Sequence, residues 1–199
     1  VVRNNQMRKS GGSAKDRNIN TKGILKKKGE KEYTLRPPST KVREALFNIL
    51  RDKINGAVFI DLYAGTGTVG FEALSRGARK SIFVENDIER ANIISKIAAN
   101  LGFSEKCTII KNNAENFLLK IDSNKDSFDI IFIDPPYHSN IIDNILNIIT
   151  EKDIINKNGV VIFEHFKKRF LPERIGKLRV KKTYRYGDTM LTFYEKGDA

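Results

Sequence analysis

The 199-residue chain has one cysteine, Cys107, and two histidines, His138 and His165. One thiol cannot close a disulfide within the chain, and neither histidine has companions suited to metal binding, so no metal site is expected. Cys107 is expected in or beside a strand, packed as a small hydrophobe. No apolar stretch approaches membrane-spanning length and no hydrophobic segment opens the sequence. The expectation is a cytoplasmic protein without membrane contact, and no internal repeat suggests an array.

What the chain has in excess is positive charge, 36 Lys and Arg against 24 Asp and Glu, for a formal net charge of +12. That charge is unevenly placed. Residues 1–53 carry 15 basic and 5 acidic side chains and residues 165–182 carry 8 and 1, whereas residues 54–164 carry 11 and 15. Basic margins around an acidic centre suit a polyanionic substrate, because phosphate neutralisation supplies affinity independent of sequence. A lysine-rich solvated surface would give the same totals.

Residues 1–36 form a polar, basic segment with few apolar anchors, read as flexible or as a small hairpin for RNA contact. Residues 37–199 read as one domain of ordinary hydrophobic content. Ser39 or Thr40 caps a helix to about residue 51, with Val42, Leu46, Ile49 and Leu50 as its apolar stripe. Strands are predicted near 57–62, 80–85, 108–111, 128–133 and 159–163, with helices near 69–76, 88–101, 114–120 and 140–150. Strands alternating with helices imply a parallel, doubly wound α/β sheet. Leu178 to Tyr186 and Thr189 to Tyr194, joined by Gly187-Asp188, read as a terminal antiparallel hairpin.

Against that frame stands Asp134-Pro135-Pro136-Tyr137, at the end of the apolar run from Phe128 to Ile133. It leaves the sheet at the carboxyl edge, where open α/β sheets bind ligands. A carboxylate and a free carbonyl can accept the two hydrogens of an exocyclic amine while tyrosine stacks on the ring. Prolines fix φ and donate nothing, so the loop's carbonyls stay available. A rigid turn after a strand is the plainer reading of the same four residues.

A second motif, Asp61 to Gly70, follows the strand Ala57-Val58-Phe59-Ile60 and opens a helix near Val69, with Thr68 as its expected cap. Gly65 and Gly67 allow a tight turn and close backbone approach to a nucleotide-like ligand. Gly65, Gly67 and Gly70 match G-x-G-x-x-G, and Glu85 ends the next strand, a spacing shared with dinucleotide sites. Asp61 arbitrates. A carboxylate there repels pyrophosphate but suits the cationic amino-acid end of S-adenosylmethionine, and Glu85 can accept ribose hydroxyls. With Asp134-Pro135-Pro136-Tyr137 downstream, methyl transfer is the favoured chemistry.

From Leu35 to about Lys196 the chain resembles the bacterial 16S rRNA guanine-N2 methyltransferases. The matching stretches are Leu35-Arg36-Pro37, Lys41 to Asn48, Asp61 to Gly70, Phe71 to Ala78, Glu85-Asn86-Asp87 and Asp134 to Tyr137. Pro38 and Thr40 depart from the family pattern. The resemblance implies a mostly parallel seven-stranded sheet of the class I S-adenosylmethionine-dependent methyltransferase type with a C-terminal antiparallel hairpin. It also implies a monomer that needs no metal and acts on 16S rRNA within a small ribosomal subunit or assembly intermediate.

By the same match, Gly65 and Gly67 would line the methionine moiety, Glu85 the ribose, and Asn113 and Ala114 the adenine, with Asp61, Tyr63, Ala64 and Asn86 as further expected cofactor-binding residues. Asp134, Pro135, Pro136 and Tyr137 hold the target base. Arg43 is expected at the cofactor, at RNA or in a surface ion pair, and Lys167, Lys168 and Arg169 as a second phosphate patch. The tetrapeptide recognises an amine without naming the base. A methyltransferase for adenine N6 or cytosine N4 in DNA or other RNA is therefore the alternative, and a dinucleotide-dependent oxidoreductase a more distant one.

Overall fold

The computed structural model describes residues 6–7, 19–20, 39–122, 126–136 and 141–197. Within the basic N-terminal segment, β1 (Gln6–Met7) and β2 (Ile19–Asn20) pair antiparallel. The rest of that segment, Tyr137 and His138 lie outside the described residues.

Helix α1 (Thr40–Leu50) begins where Ser39 Oγ accepts the Val42 N–H at 3.2 Å, so Ser39 and not Thr40 is its cap. Val42, Leu46, Phe47 and Leu50 are buried. Phe47 takes the place expected of Ile49, which is half-buried. Then follow β3 (Val58–Asp61), α2 (Thr68–Ser75), β4 (Lys80–Glu85), α3 (Ile88–Leu101), β5 (Cys107–Lys111), α4 (Ala114–Lys120), β6 (Phe128–Ile133) and α5 (Ile141–Lys152). The chain ends with β7 (Ile155–Phe166), β8 (Arg174–Ile175), β9 (Leu178–Tyr186) and β10 (Thr189–Lys196).

The main sheet runs β5-β4-β3-β6-β7-β10-β9-β8. Its first five strands are parallel and the last three are antiparallel to their neighbours. The described sheet thus has eight strands where seven were expected. The extra one, β8, folds back on β9 through the two-residue turn Gly176-Lys177, with Gly176 at φ +53. A left-handed glycine allows so tight a reversal, which otherwise costs a side chain strain.

Strand alternation sends successive side chains to opposite faces. Phe59, Phe83, Phe132 and Ile162 pack with α1, α2 and α3, whereas Ile60, Val84, Ile131 and Phe163 pack with α4 and α5. Burial on both faces explains why these strands read as continuous apolar runs. Chain order moves outward from β3 to β5 and then jumps back to β6, so the switch point lies between β3 and β6. A crevice outside the carboxyl ends of these strands is where such sheets take ligands.

Candidate active site

Four adjacent strands each end their apolar run with an acid: Glu85 on β4, Asp61 on β3, Asp134 just beyond β6, and Glu164 near the end of β7. Register fixes their relation. Asp61 pairs with Phe83 and Phe132, and Phe132 pairs with Ile162. Glu85, Asp134 and Glu164 therefore stand two residues further along their strands, on the same face as Asp61, by the period-two alternation.

The loop after β3 is fastened to this row. Leu62 N–H donates to Phe132 O at 3.0 Å and Ala64 N–H to Val84 O at 3.0 Å, tying the strand's exit to both neighbours. Gly65 N–H donates to Glu85 Oε2 at 2.7 Å, and Asp87 N–H donates to Glu85 Oε1 at 2.9 Å. Gly70 N–H donates to Asp61 Oδ2 at 3.2 Å. Gly65 and Gly67 have φ +55 and +77, a backbone state that side chains disfavour. Gly67, not Thr68, is the N-cap of α2; Thr68 is its first residue, with its hydroxyl 3.3 Å from that of Thr66.

Electrostatics make the edge unusual. Burial pushes the Asp61 carboxyl up to about 7; the charges of Asp134 and Glu85 add to this, and the Gly70 N–H opposes it. Asp134 is likewise raised by burial, and Glu164 is raised by burial and then by Asp134. Buried groups with strongly shifted pKa in a cleft are candidates for function. A row of carboxyl groups that resist sharing negative charge would repel pyrophosphate and attract a cation. This arrangement argues against a dinucleotide.

The other expected residues fall around this row. Tyr63 is half-buried, its hydroxyl pKa raised first by burial, and Ala64 is buried. Asn86 is exposed directly after Glu85. Asn113 leaves β5 at the same edge, and its side chain caps α4 by accepting the Asn116 N–H at 2.7 Å; Ala114 is buried beneath it. Pro135 is buried and Pro136 exposed. Arg43 is only 5% exposed, which removes the surface-pair reading. Burial lowers its pKa, and Glu72 and Glu44 oppose that.

Cys107 is half-buried against the core, and burial pushes its thiol up to about 11, as befits a packing residue. Among the described residues, no group of three or more His, Cys, Asp or Glu is arranged to hold a metal ion. No helix among them is long and apolar enough to cross a membrane. A surface hollow lined by Phe47, Asn48, Arg51, Ile54 and Arg76 lies by the ends of α1 and α2, at the sheet's opposite edge from the acids.

Two residues escaped the sequence reading. Glu164 carries the same signal as Asp61 and Asp134, an acid closing a buried run, here Val160-Val161-Ile162-Phe163. Phe170 follows Lys167-Lys168-Arg169 in the loop leaving β7 and is 93% exposed.

Comparison with known proteins agrees with the geometry. Residues 7–195 match the family described as "Conserved hypothetical protein 95". The chain is 32% identical to "Putative rRNA methyltransferase YlbH" of Bacillus subtilis, over 81% of this chain and 88% of that one. It is 35% identical to "Ribosomal RNA small subunit methyltransferase D" of Haemophilus influenzae, over 75% of this chain and 78% of that one. The solved structure "Putative methyltransferase yhhF from Escherichia coli" aligns with TM-score 0.80 at 25% identity, covering 98% of this chain and 99% of that one. On sequence, fold and matched length together, the chain belongs to the ribosomal RNA small subunit methyltransferase D family.

Proposed function

We propose that the protein is an S-adenosylmethionine-dependent enzyme that methylates the exocyclic N2 amine of a guanine in the 16S rRNA of the small ribosomal subunit. The observation that carries this reading is the row Glu85, Asp61 and Asp134 at the ends of three adjacent strands that flank the switch point. The residues present fit the cofactor. A Cβ built at Gly65 meets no atom within 4 Å, so the glycine turn borders open space, and acids rim it. Asp61 and the loop from Tyr63 to Gly67 would hold the cationic amino-acid end, Glu85 and Asn86 the ribose, and Asn113 and Ala114 the adenine. When bound, S-adenosylmethionine supplies a methyl group already activated for transfer.

The chain's own work is then alignment. Asp134 accepts one hydrogen of the amine and the Pro135 carbonyl the other, so the nitrogen lone pair is directed and not free to rotate. Burial raises the affinity of the Asp134 carboxylate for a proton, which suits it to take the proton the amine sheds. Tyr137 stacks on the base, which must leave its helix to enter. Lys168 and Phe170, exposed in the loop leaving β7 at the same edge, offer a phosphate contact and a stacking face.

Replacement of Asp134 tests the assignment. Asp134→Ala is expected to abolish methyl transfer while cofactor affinity stays within about threefold, since the loss is a contact to the acceptor. A variant as active as the parent removes Asp134 from the mechanism.

A further inference from the structure

Of the four carboxyl groups at the sheet edge, three have a place in the reading above and Glu164 has none. Glu164 is 4% exposed, and its Oε2 is buried without a hydrogen-bond partner. Buried polar groups left unsatisfied are rare and call for an explanation. The other two buried acids of the row are served by the backbone: Glu85 accepts from Gly65 and Asp87, and Asp61 from Gly70. Nor does His165 serve Glu164; it turns to the opposite face and shares a hydrogen bond of 2.8 Å with Thr192 Oγ1.

Position supplies the explanation. Phe163 pairs with Ile133, so Glu164 and Asp134 are the next pair along the parallel register and share a face. Burial first, and then the charge of Asp134, raise the affinity of the Glu164 carboxyl for a proton. From the glycine loop the row runs Asp61, Asp134, Glu164, which places Glu164 beyond the amine-holding residue on the side away from the cofactor loop. A base whose amine lies at Asp134 would extend its adjoining ring edge toward Glu164. In guanine the amine lies between N1, which carries a hydrogen, and N3, an acceptor, whereas the single ring nitrogen beside the amine of adenine or cytosine is an acceptor, so only guanine can present a donor to Glu164 on that edge.

We propose that Glu164 is the second carboxyl of the acceptor pocket: its carbonyl oxygen accepts the N1–H of the guanine while its hydroxyl donates to the Asp134 carboxylate. This assignment rests on the guanine reading. It makes Glu164 a specificity group as well as a clamp on Asp134.

Two full-chain variants test it, assayed on small-subunit particles with radiolabelled S-adenosylmethionine, with melting temperature and S-adenosylhomocysteine affinity measured alongside. Glu164→Leu removes a buried carboxyl whose Oε2 is unsatisfied while no base is bound, so the free variant's melting temperature should equal or exceed the parent's and its cofactor affinity should hold. Its kcat/KM should fall about ten- to a hundredfold, the cost of leaving a base donor and Asp134 unmatched. Glu164→Gln offers the same acceptor and donor and should retain activity within about threefold. Parental activity in Glu164→Leu overturns the proposal, as does loss of activity in both variants in step with melting temperature. If the parent yields N2-methylguanine, such a failure concerns Glu164 alone; if the parent methylates another base, the guanine reading falls and this assignment with it.

Discussion

The backbone N–H of Gly65 donates to Glu85 Oε2 at 2.7 Å, so the end of one strand fixes the glycine turn that leaves its neighbour. Glu85 also accepts from Asp87 N–H at 2.9 Å, which sets the start of α3. One carboxylate thereby positions both walls of the expected cofactor site, with acceptor capacity left for ribose hydroxyls. Glu85→Ala should weaken S-adenosylhomocysteine binding about ten- to a hundredfold by calorimetry, and Glu85→Gln less, because an acceptor oxygen remains. Parental affinity in Glu85→Ala would contradict this role.

Asp61 gives a pH-dependent test. Its folded carboxyl titrates at about 7 because of burial first, then the charges of Asp134 and Glu85. The unfolded group titrates at about 3.8. A folded value above the unfolded one means that the stability Asp61 contributes is present below about pH 4 and is lost as pH rises through about 7. Asp61→Asn keeps an acceptor for the Gly70 N–H without the charge. The free variant should therefore melt above the parent at pH 8, with the gap narrowing toward pH 4, while its cofactor affinity falls. A pH-independent gap would remove Asp61 as the source.

Gly70 tests the packing beneath the loop. A Cβ there would press on the Phe83 ring and lie 2.8 Å from Ser81 Oγ. Phe83 is fully buried and packs against Phe71 in a tilted ring contact with centroids 4.8 Å apart, so it has little room to yield. Gly70→Ala should cost about 1–3 kcal/mol of stability, as overpacking does, and lower cofactor affinity. Denaturant titration reads the first and calorimetry the second; an unchanged midpoint would show that β4 relaxes freely.

The loop leaving β7 tests the RNA face. Lys167 is engaged by Asp188 at 2.7 Å and Arg169 lies 3.7 Å from Asp143, whereas Lys168 and Phe170 are exposed. Lys168→Glu should weaken RNA binding and reduce the salt slope by about one. Phe170→Ala should cost about 1–3 kcal/mol of RNA affinity through lost stacking, at an unchanged salt slope. Neither change should touch S-adenosylhomocysteine binding. Both variants binding RNA as the parent does would place the substrate elsewhere.

The parallel half of the fold was legible because β3, β4, β6 and β7 are buried on both faces over most of their length and carry apolar runs between helix signals. β7 was read too short. It extends to Phe166 because β10 pairs with it from Val160 to Phe166, a partnership made about 25 residues later in the chain. The turn at Gly176-Lys177 lies within the basic stretch 165–182, where no apolar alternation marks the two-residue β8 before it. At the site, Asp61, Glu85 and Asp134 were legible from their place after strands. Glu164 bore the same mark without a neighbouring motif to single it out. The cap at Gly67 and the burial of Arg43 depend on tertiary packing, which pattern alone does not carry. The exposure of Phe170 likewise follows from where the loop after β7 runs, and an isolated aromatic in a basic stretch does not announce it.

Product identity tests the central claim most directly. The protein is incubated with radiolabelled S-adenosylmethionine and, separately, small-subunit particles, naked 16S rRNA or DNA, and the digested nucleosides are resolved. N2-methylguanosine from small-subunit rRNA is the predicted product. N6-methyladenine, N4-methylcytosine or label in DNA would contradict the account, as would no transfer to any of the three.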